Sequence, residues 1–145
     1  MKSFKFLRIL ITLFVIAGCA PKVPAYNAYT KKDAATIDGT FANFFKIVFG
    51  SDANIRIQRI DSKRSTNPLK AIQVSPGEHT LLVSANTGKN TAGGTIKVAL
   101  KAHHNYKLRA KADEKFFTVY LFDMTNNEEG QLVKKYKIKA NGYYL

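Results

Sequence analysis

Downstream of Ala34 the chain alternates apolar and polar residues with a period of two, and nothing else in it constrains the fold so tightly. In the run 78–85, His79, Leu81, Val83 and Ala85 share one side, and Thr80, Leu82 and Ser84 the other. Side chains on a strand point alternately to its two faces, so this run is a strand with one face turned to a core. The period recurs in 95–101, with Ile96, Val98 and Leu100 against Thr95, Lys97 and Lys101. It recurs in 106–110, with Tyr106 and Leu108 inward and Lys107, Arg109 and the following Lys111 outward. In 131–139, Leu132, Tyr136 and Ile138 alternate with Val133, Lys135, Lys137 and Lys139. Such a Lys-rich side suits an exposed or edge strand, because charge discourages pairing with other chains. Residues 116–123 (FFTVYLFD) are apolar on both sides and read as a central strand. In 54–61 the alternation holds until Ile60 changes side, the mark of a bulge or of partial burial on both faces.

Shorter segments complete the pattern. Residues 35–38 form a strand closed by Asp38-Gly39, and 69–74 form another with Ile72 and Val74 on one face. The apolar run 41–49 (FANFFKIVF) favours strand by its β-branched and aromatic content, with one helical turn as the alternative. Ser75-Pro76-Gly77 is a tight turn, since Pro presets φ and Gly then supplies φ > 0. The stretch 62–68 reads as a polar loop, and 86–94 (NTGKNTAGG) as a long flexible one. Together these segments predict an all-β chain: an antiparallel β-sandwich of seven to eight strands, immunoglobulin- or transthyretin-like, after an N-terminal signal helix. A small barrel is the alternative.

The N-terminus adds a location. Lys2, Lys5 and Arg8 precede the apolar run 9–16, which small residues then close. These are the parts of an export signal, and the run falls short of the roughly 20 apolar residues a transmembrane helix needs. Ile16-Ala17-Gly18-Cys19 resembles the lipobox of bacterial lipoproteins. The resemblance implies that the Cys19 thiol is acylated, that Ile16, Ala17 and Gly18 are read by the signal peptidase, and that Cys19 becomes the mature N-terminus. Ala20, in place of an acidic residue, implies sorting to the outer membrane. Two or three acyl chains hold a domain on a bilayer, whereas one binds only marginally. The expected organisation is a signal peptide over 1–18, a flexible tether over 19–33 and the β domain over 34–145. Tyr26 and Tyr29 in the tether suit either the headgroup level or the domain surface.

Composition bounds the partners. Cys19 is the sole cysteine, so no internal disulfide can form. Three of the 23 Lys+Arg precede Cys19, which leaves 20 against 10 acidic residues, a net charge of +10. A basic surface attracts polyanions and anionic headgroups. In a cell envelope these are lipid phosphates, lipopolysaccharide and acidic glycans; export removes the protein from nucleic acid. Lys97, Lys107, Arg109, Lys135 and Lys137 are the candidate anion-binding patch, and a solvated basic face without a ligand is the plain alternative.

The segment 74–79 (VSPGEH), flanked by strands, and the 100–108 hairpin with Tyr106 opening its second strand are similar to PEGA-like envelope modules. That family's usual glycine ahead of the tyrosine strand is replaced here by His103-His104-Asn105. The resemblance implies a small sandwich module and no particular ligand.

No residue set specifies a reaction. His103 and His104 are neighbours without companion metal ligands, and His79 reads as a hydrogen-bonded histidine at the core edge. No GxSxG elbow occurs, the carboxylates fall in or beside turns, and no metal or cofactor is expected. The expectation is a non-enzymatic, lipid-anchored envelope lipoprotein that binds or scaffolds. It contacts the membrane through Cys19 and an envelope protein or anionic glycan or lipid elsewhere. The alternative is a dedicated binder of an anionic envelope ligand through basic strand faces.

Overall fold

A computed structural model describes residues 22–40, 52–66 and 70–141. The signal segment with Ile16, Ala17, Gly18 and Cys19, the apolar run 41–49, and Tyr143 and Tyr144 near the end lie outside the described residues. The regular elements described are all strands. They are β1 (Ala35–Asp38), β2 (Asp52–Ile60), β3 (Lys63–Arg64), β4 (Ile72–Val74), β5 (Gly77–Asn86), β6 (Thr91–Leu100), β7 (Asn105–Ala112), β8 (Phe116–Asp123) and β9 (Gln131–Lys139).

Two antiparallel ladders make up most of the sheet. One is β2–β5–β6 and the other β7–β8–β9. β2 joins them: Asp52 and Ala53 pair with Lys111 and Ala110 of β7, and the rest of β2 pairs with β5. β1 takes the rest of the β7 edge that β2 uses, with Thr36 to Asp38 parallel to Asn105 to Lys107, and β4 pairs with the far side of β1. The result is one mixed sheet of nine strands, not seven to eight purely antiparallel ones. The parallel pair was invisible in the sequence because no hairpin links β1 to β7, so no turn sets their relative direction.

Alternation places the core as expected. Ile55, Ile57, Ile60, Leu81, Val83, Ile96, Val98, Leu108, Phe117, Val119 and Leu121 are buried in one cluster. Burying a side chain of this size contributes about 1.5–3 kcal/mol. Ile60 keeps its inward place because the register slips by one residue at Gln58, where Ile57 pairs with Val83 but Arg59 with Leu82. β8 pairs on both edges, so it is central. Its outer face is only half-covered, however, and Phe116 is exposed.

Three expectations fail for identifiable reasons. The long loop 86–94 shrinks, because Thr91 to Gly94 belong to β6. The small residues there serve packing: a Cβ on Gly94 would lie 2.7 Å from Cγ2 of Ile138. At this seam between β6 and β9, the Tyr136 hydroxyl donates to the Lys97 carbonyl at 2.6 Å, and Thr91 bridges to Asn141. The polar loop 62–68 contains β3, reached through a two-residue turn in which Asp61 and Ser62 both have positive φ (48° and 67°). That is the twist-matched hairpin turn, here built without glycine. Last, residues 24–29 of the expected tether hydrogen-bond to the domain. The Arg64 amide donates to the Pro24 carbonyl and the Tyr26 amide to the Arg64 carbonyl, both at 2.8 Å, and the Tyr29 amide donates to Gln73 at 3.1 Å. Tyr26 packs against the core.

The Ser75-Pro76-Gly77 turn is present, with φ of 123° at Gly77. It does not close a hairpin: β4 pairs with β1 and β5 with β2, so the chain changes ladder there.

Candidate functional site

The outer face of β7–β8–β9 gathers most of the candidate cations. Because Tyr106, Leu108 and Ala110 are buried, Lys107, Arg109 and Lys111 point outward. The register then sets rows across the three strands. Arg109, Tyr120 and Lys135 form one, Lys111, Thr118 and Lys137 a second, and Lys107, Phe122 and Leu132 a third. Neighbouring strands lie about 4.8 Å apart, so the β7 and β9 cation columns are separated by about 10 Å, with successive charges about 7 Å apart along each. Aromatic rings fill the space between. The Arg109 guanidinium sits 4.7 Å from the Phe122 ring centroid and the Lys135 ammonium 5.6 Å from that of Tyr120. Tyr120 and Phe122 themselves stack at 6.3 Å. A cation over a ring face is held in place yet keeps its outer side for an anion.

The face is not uniform. On its β1–β2 flank, Asp38 is the register partner of Lys107 and Asp52 that of Lys111. Burial pushes the Asp38 carboxyl up, although the Lys107 charge and the Gly39 amide pull the other way. These acids offset part of the β7 charge. On β9, Lys135 and Lys137 have Tyr120 and Thr118 as their cross-strand neighbours instead. Leu132 and Val133, about 42% and 49% exposed, extend an apolar strip beside Phe122 where a second register slip widens β9.

Lys107, Arg109, Lys135 and Lys137 therefore share one face. Lys97 does not share that ladder: it lies on β6 opposite Thr80. Lys111 and Lys139 join the group through strand parity alone, and Tyr120 and Phe122 are the members sequence reasoning missed. Their signal is the doubly apolar run 116–123, which by sequence alone reads as burial on both sides.

The histidines make two further clusters. His79 is buried, with Nδ1 2.6 Å from Asp61 Oδ2 and Nε2 2.8 Å from the Ser75 carbonyl; Ser75 Oγ lies 3.3 Å from Nε2. Ser, His and Asp thus meet, but not as a nucleophilic triad. The nitrogen that would have to take the serine proton, Nε2, lies nearer the Ser75 carbonyl (2.8 Å) than the Ser75 hydroxyl (3.3 Å), so it is engaged by backbone. The cluster instead ties the β2–β3 turn to the β4–β5 crossing. Burial of Asp61 opposes its charge, yet the Thr80 amide, His79 and Lys63 hold its carboxyl below the ordinary value.

His104 Nδ1 lies 2.5 Å from Asp123 Oδ2, while Asp123 Oδ1 accepts from the Thr125 amide and hydroxyl. Here too burial is outweighed, by Thr125 and His104, and the Asp123 carboxyl is lowered. His103 has a positive φ of 62° and is exposed, so the two adjacent histidines diverge. An open depression of about 570 Å³ beside His104 is lined also by Lys101, Asn126, Asn127 and Gln131. Among the described residues, no three His, Cys, Asp or Glu side chains are grouped to hold a metal ion.

Compared with known proteins, the chain matches no protein-family model, no characterised protein and no solved structure.

Proposed function

We propose that this chain is an envelope lipoprotein, anchored through acyl chains on Cys19, whose β domain is a non-enzymatic binding module. Its ligand is an anionic envelope lipid or glycan, taken on the outer face of β7–β8–β9. The observation that carries this reading is the cation grid of Lys107, Arg109, Lys135 and Lys137 around the Tyr120–Phe122 pair. Rings with flanking cations suit a phosphate- or carboxylate-bearing amphiphile, since the apolar strip at Leu132 and Val133 lies at the edge of the charges. The location rests on the lipobox-like Ile16-Ala17-Gly18-Cys19 and its Ala20 neighbour, which together favour the outer membrane. We take the domain as a sandwich-type module of the PEGA-like kind, on the strength of residues 74–79 and 100–108.

The test has two arms. At physiological salt, Cys19→Ser should move the protein from the membrane to the soluble fraction; a variant that is processed normally yet stays wholly with the membrane refutes the anchor. The same unacylated protein should bind phosphatidylglycerol vesicles at low ionic strength and release them as salt approaches physiological levels, where the screening length is about 8 Å. No binding at low salt refutes the anionic ligand.

A further inference from the structure

We infer that the corner at the β2–β3 turn faces the bilayer and rests on anionic headgroup phosphates. The inference takes Cys19 acylation from the proposed function and adds an orientation to it. Its first support is the chain's entry path. Residues 24–26 run parallel to β3 with Ala25 beside Arg64, and both backbone bonds of that pairing go to Arg64. β3 runs away from the turn at Asp61–Ser62, so the preceding residues Val23 and Lys22 approach from the turn side. The covalent path from Cys19 to Pro24 is five residues. At the 3.3–3.6 Å per residue of a fully extended chain, it reaches about 17 Å. A domain with fifteen free residues would tumble far from its anchor, whereas this one is held by a leash about as long as one strand.

The second support is charge. Arg59 and Arg64 are direct cross-strand partners, both exposed. Like charges placed opposite one another on a sheet are unfavourable. Lys63 adjoins them, and Lys22 precedes the docked segment. The acid in the turn, Asp61, is engaged by His79 and by the Thr80 amide. A cation pair of this kind at the root of a lipid anchor is satisfied by phosphate oxygens, which arginine accepts in bidentate fashion.

The experiment uses the full acylated protein reconstituted in phosphatidylglycerol-containing vesicles. With Cys19 acylated, Ser62→Cys and Lys89→Cys each offer one thiol for a fluorophore. Ser62 is in the corner turn, and Lys89 is in the β5–β6 turn at the other end of β5. Headgroup-labelled quencher lipids should quench the Ser62 site several-fold more than the Lys89 site. Arg59→Glu with Arg64→Glu should abolish that contrast while the protein stays with the vesicles. Equal or reversed quenching in anchored protein overturns the orientation, and an unchanged contrast in the double variant overturns the phosphate contact. Protein that washes off the vesicles instead refutes the acyl anchor itself, a separate outcome.

Discussion

The two ladders share one core and differ on their outer faces. On β5–β6 the outward residues are Glu78, Thr80, Leu82, Ser84, Gly93, Thr95, Lys97 and Ala99, small or neutral apart from one acid and one lysine. On β7–β8–β9 they are Lys107, Arg109, Lys111, Thr118, Tyr120, Phe122, Lys135 and Lys137. Inward, the two are alike: Leu81, Val83, Ile96 and Val98 match Leu108, Phe117, Val119 and Leu121 in burial. A strand's inner parity answers to packing and its outer parity is free. Where that freedom yields a regular grid of cations and rings on one ladder only, packing does not explain it.

The largest effect should come from the shared side. Phe117 is fully buried, and Phe117→Ala should cost about 3–5 kcal/mol in denaturant unfolding. Because the core is one cluster, fluorescence probes on either ladder should then report the same midpoint. Separate midpoints would show that the ladders are independent units.

Next is the seam where the ladders meet at β6 and β9. Gly94→Val would drive a branched side chain into Ile138 and should cost about 1–3 kcal/mol. Gly93→Val, at a position with only a distant backbone neighbour (the Val83 carbonyl, 3.9 Å from an added Cβ), should cost clearly less. If the two cost the same, the seam is not packed as described.

The same two glycines show what was legible. Residues with strong alternation, such as His79 to Ala85 and Tyr106 to Ala110, fell on strands with the expected faces. The bulge near Ile60 was readable because one apolar residue broke parity. Gly93-Gly94 read as loop because local propensity says so, whereas the close approach of Ile138 made glycine necessary there. The docking of Tyr26 and the Asp61–Ser62 turn were likewise hidden, since both depend on partners far along the chain. At the candidate face, the cations could be named from parity, but Lys97 could be separated from Lys135 only by strand order. The aromatic pair was mistaken for core because sequence does not tell which side of β8 lacks a cover.

Charge reversal tests the outer-face difference directly. Lys135→Glu with Lys137→Glu should weaken binding to phosphatidylglycerol vesicles by on the order of tenfold or more, given about 1 kcal/mol per cation near an anionic surface. Lys97→Glu, on the other ladder, should change it by less than about threefold on the same scale. Equal losses per reversed charge would mean that net charge alone drives binding and that the face has no special role.

The smallest effect separates two carboxylates by pH. Asp123 is lowered, because hydrogen bonds from Thr125 and His104 outweigh its burial. A depressed acid contributes stability that is present above the unfolded value near 3.9 and lost as pH falls through the folded value. Asp123→Asn should therefore lower the melting temperature at pH 7 and have a progressively smaller effect as pH falls below about 3.9. Asp38 is raised, because burial outweighs Lys107 and the Gly39 amide. Its charged form is the disfavoured one in the fold, so the sign reverses: Asp38→Asn should leave stability at pH 7 unchanged or higher. It should also make the face more basic and strengthen vesicle binding slightly. Thermal melts of both variants across this pH range decide the matter, and a destabilised Asp38→Asn at pH 7 would mean that Lys107 depends on that acid for its place on the face.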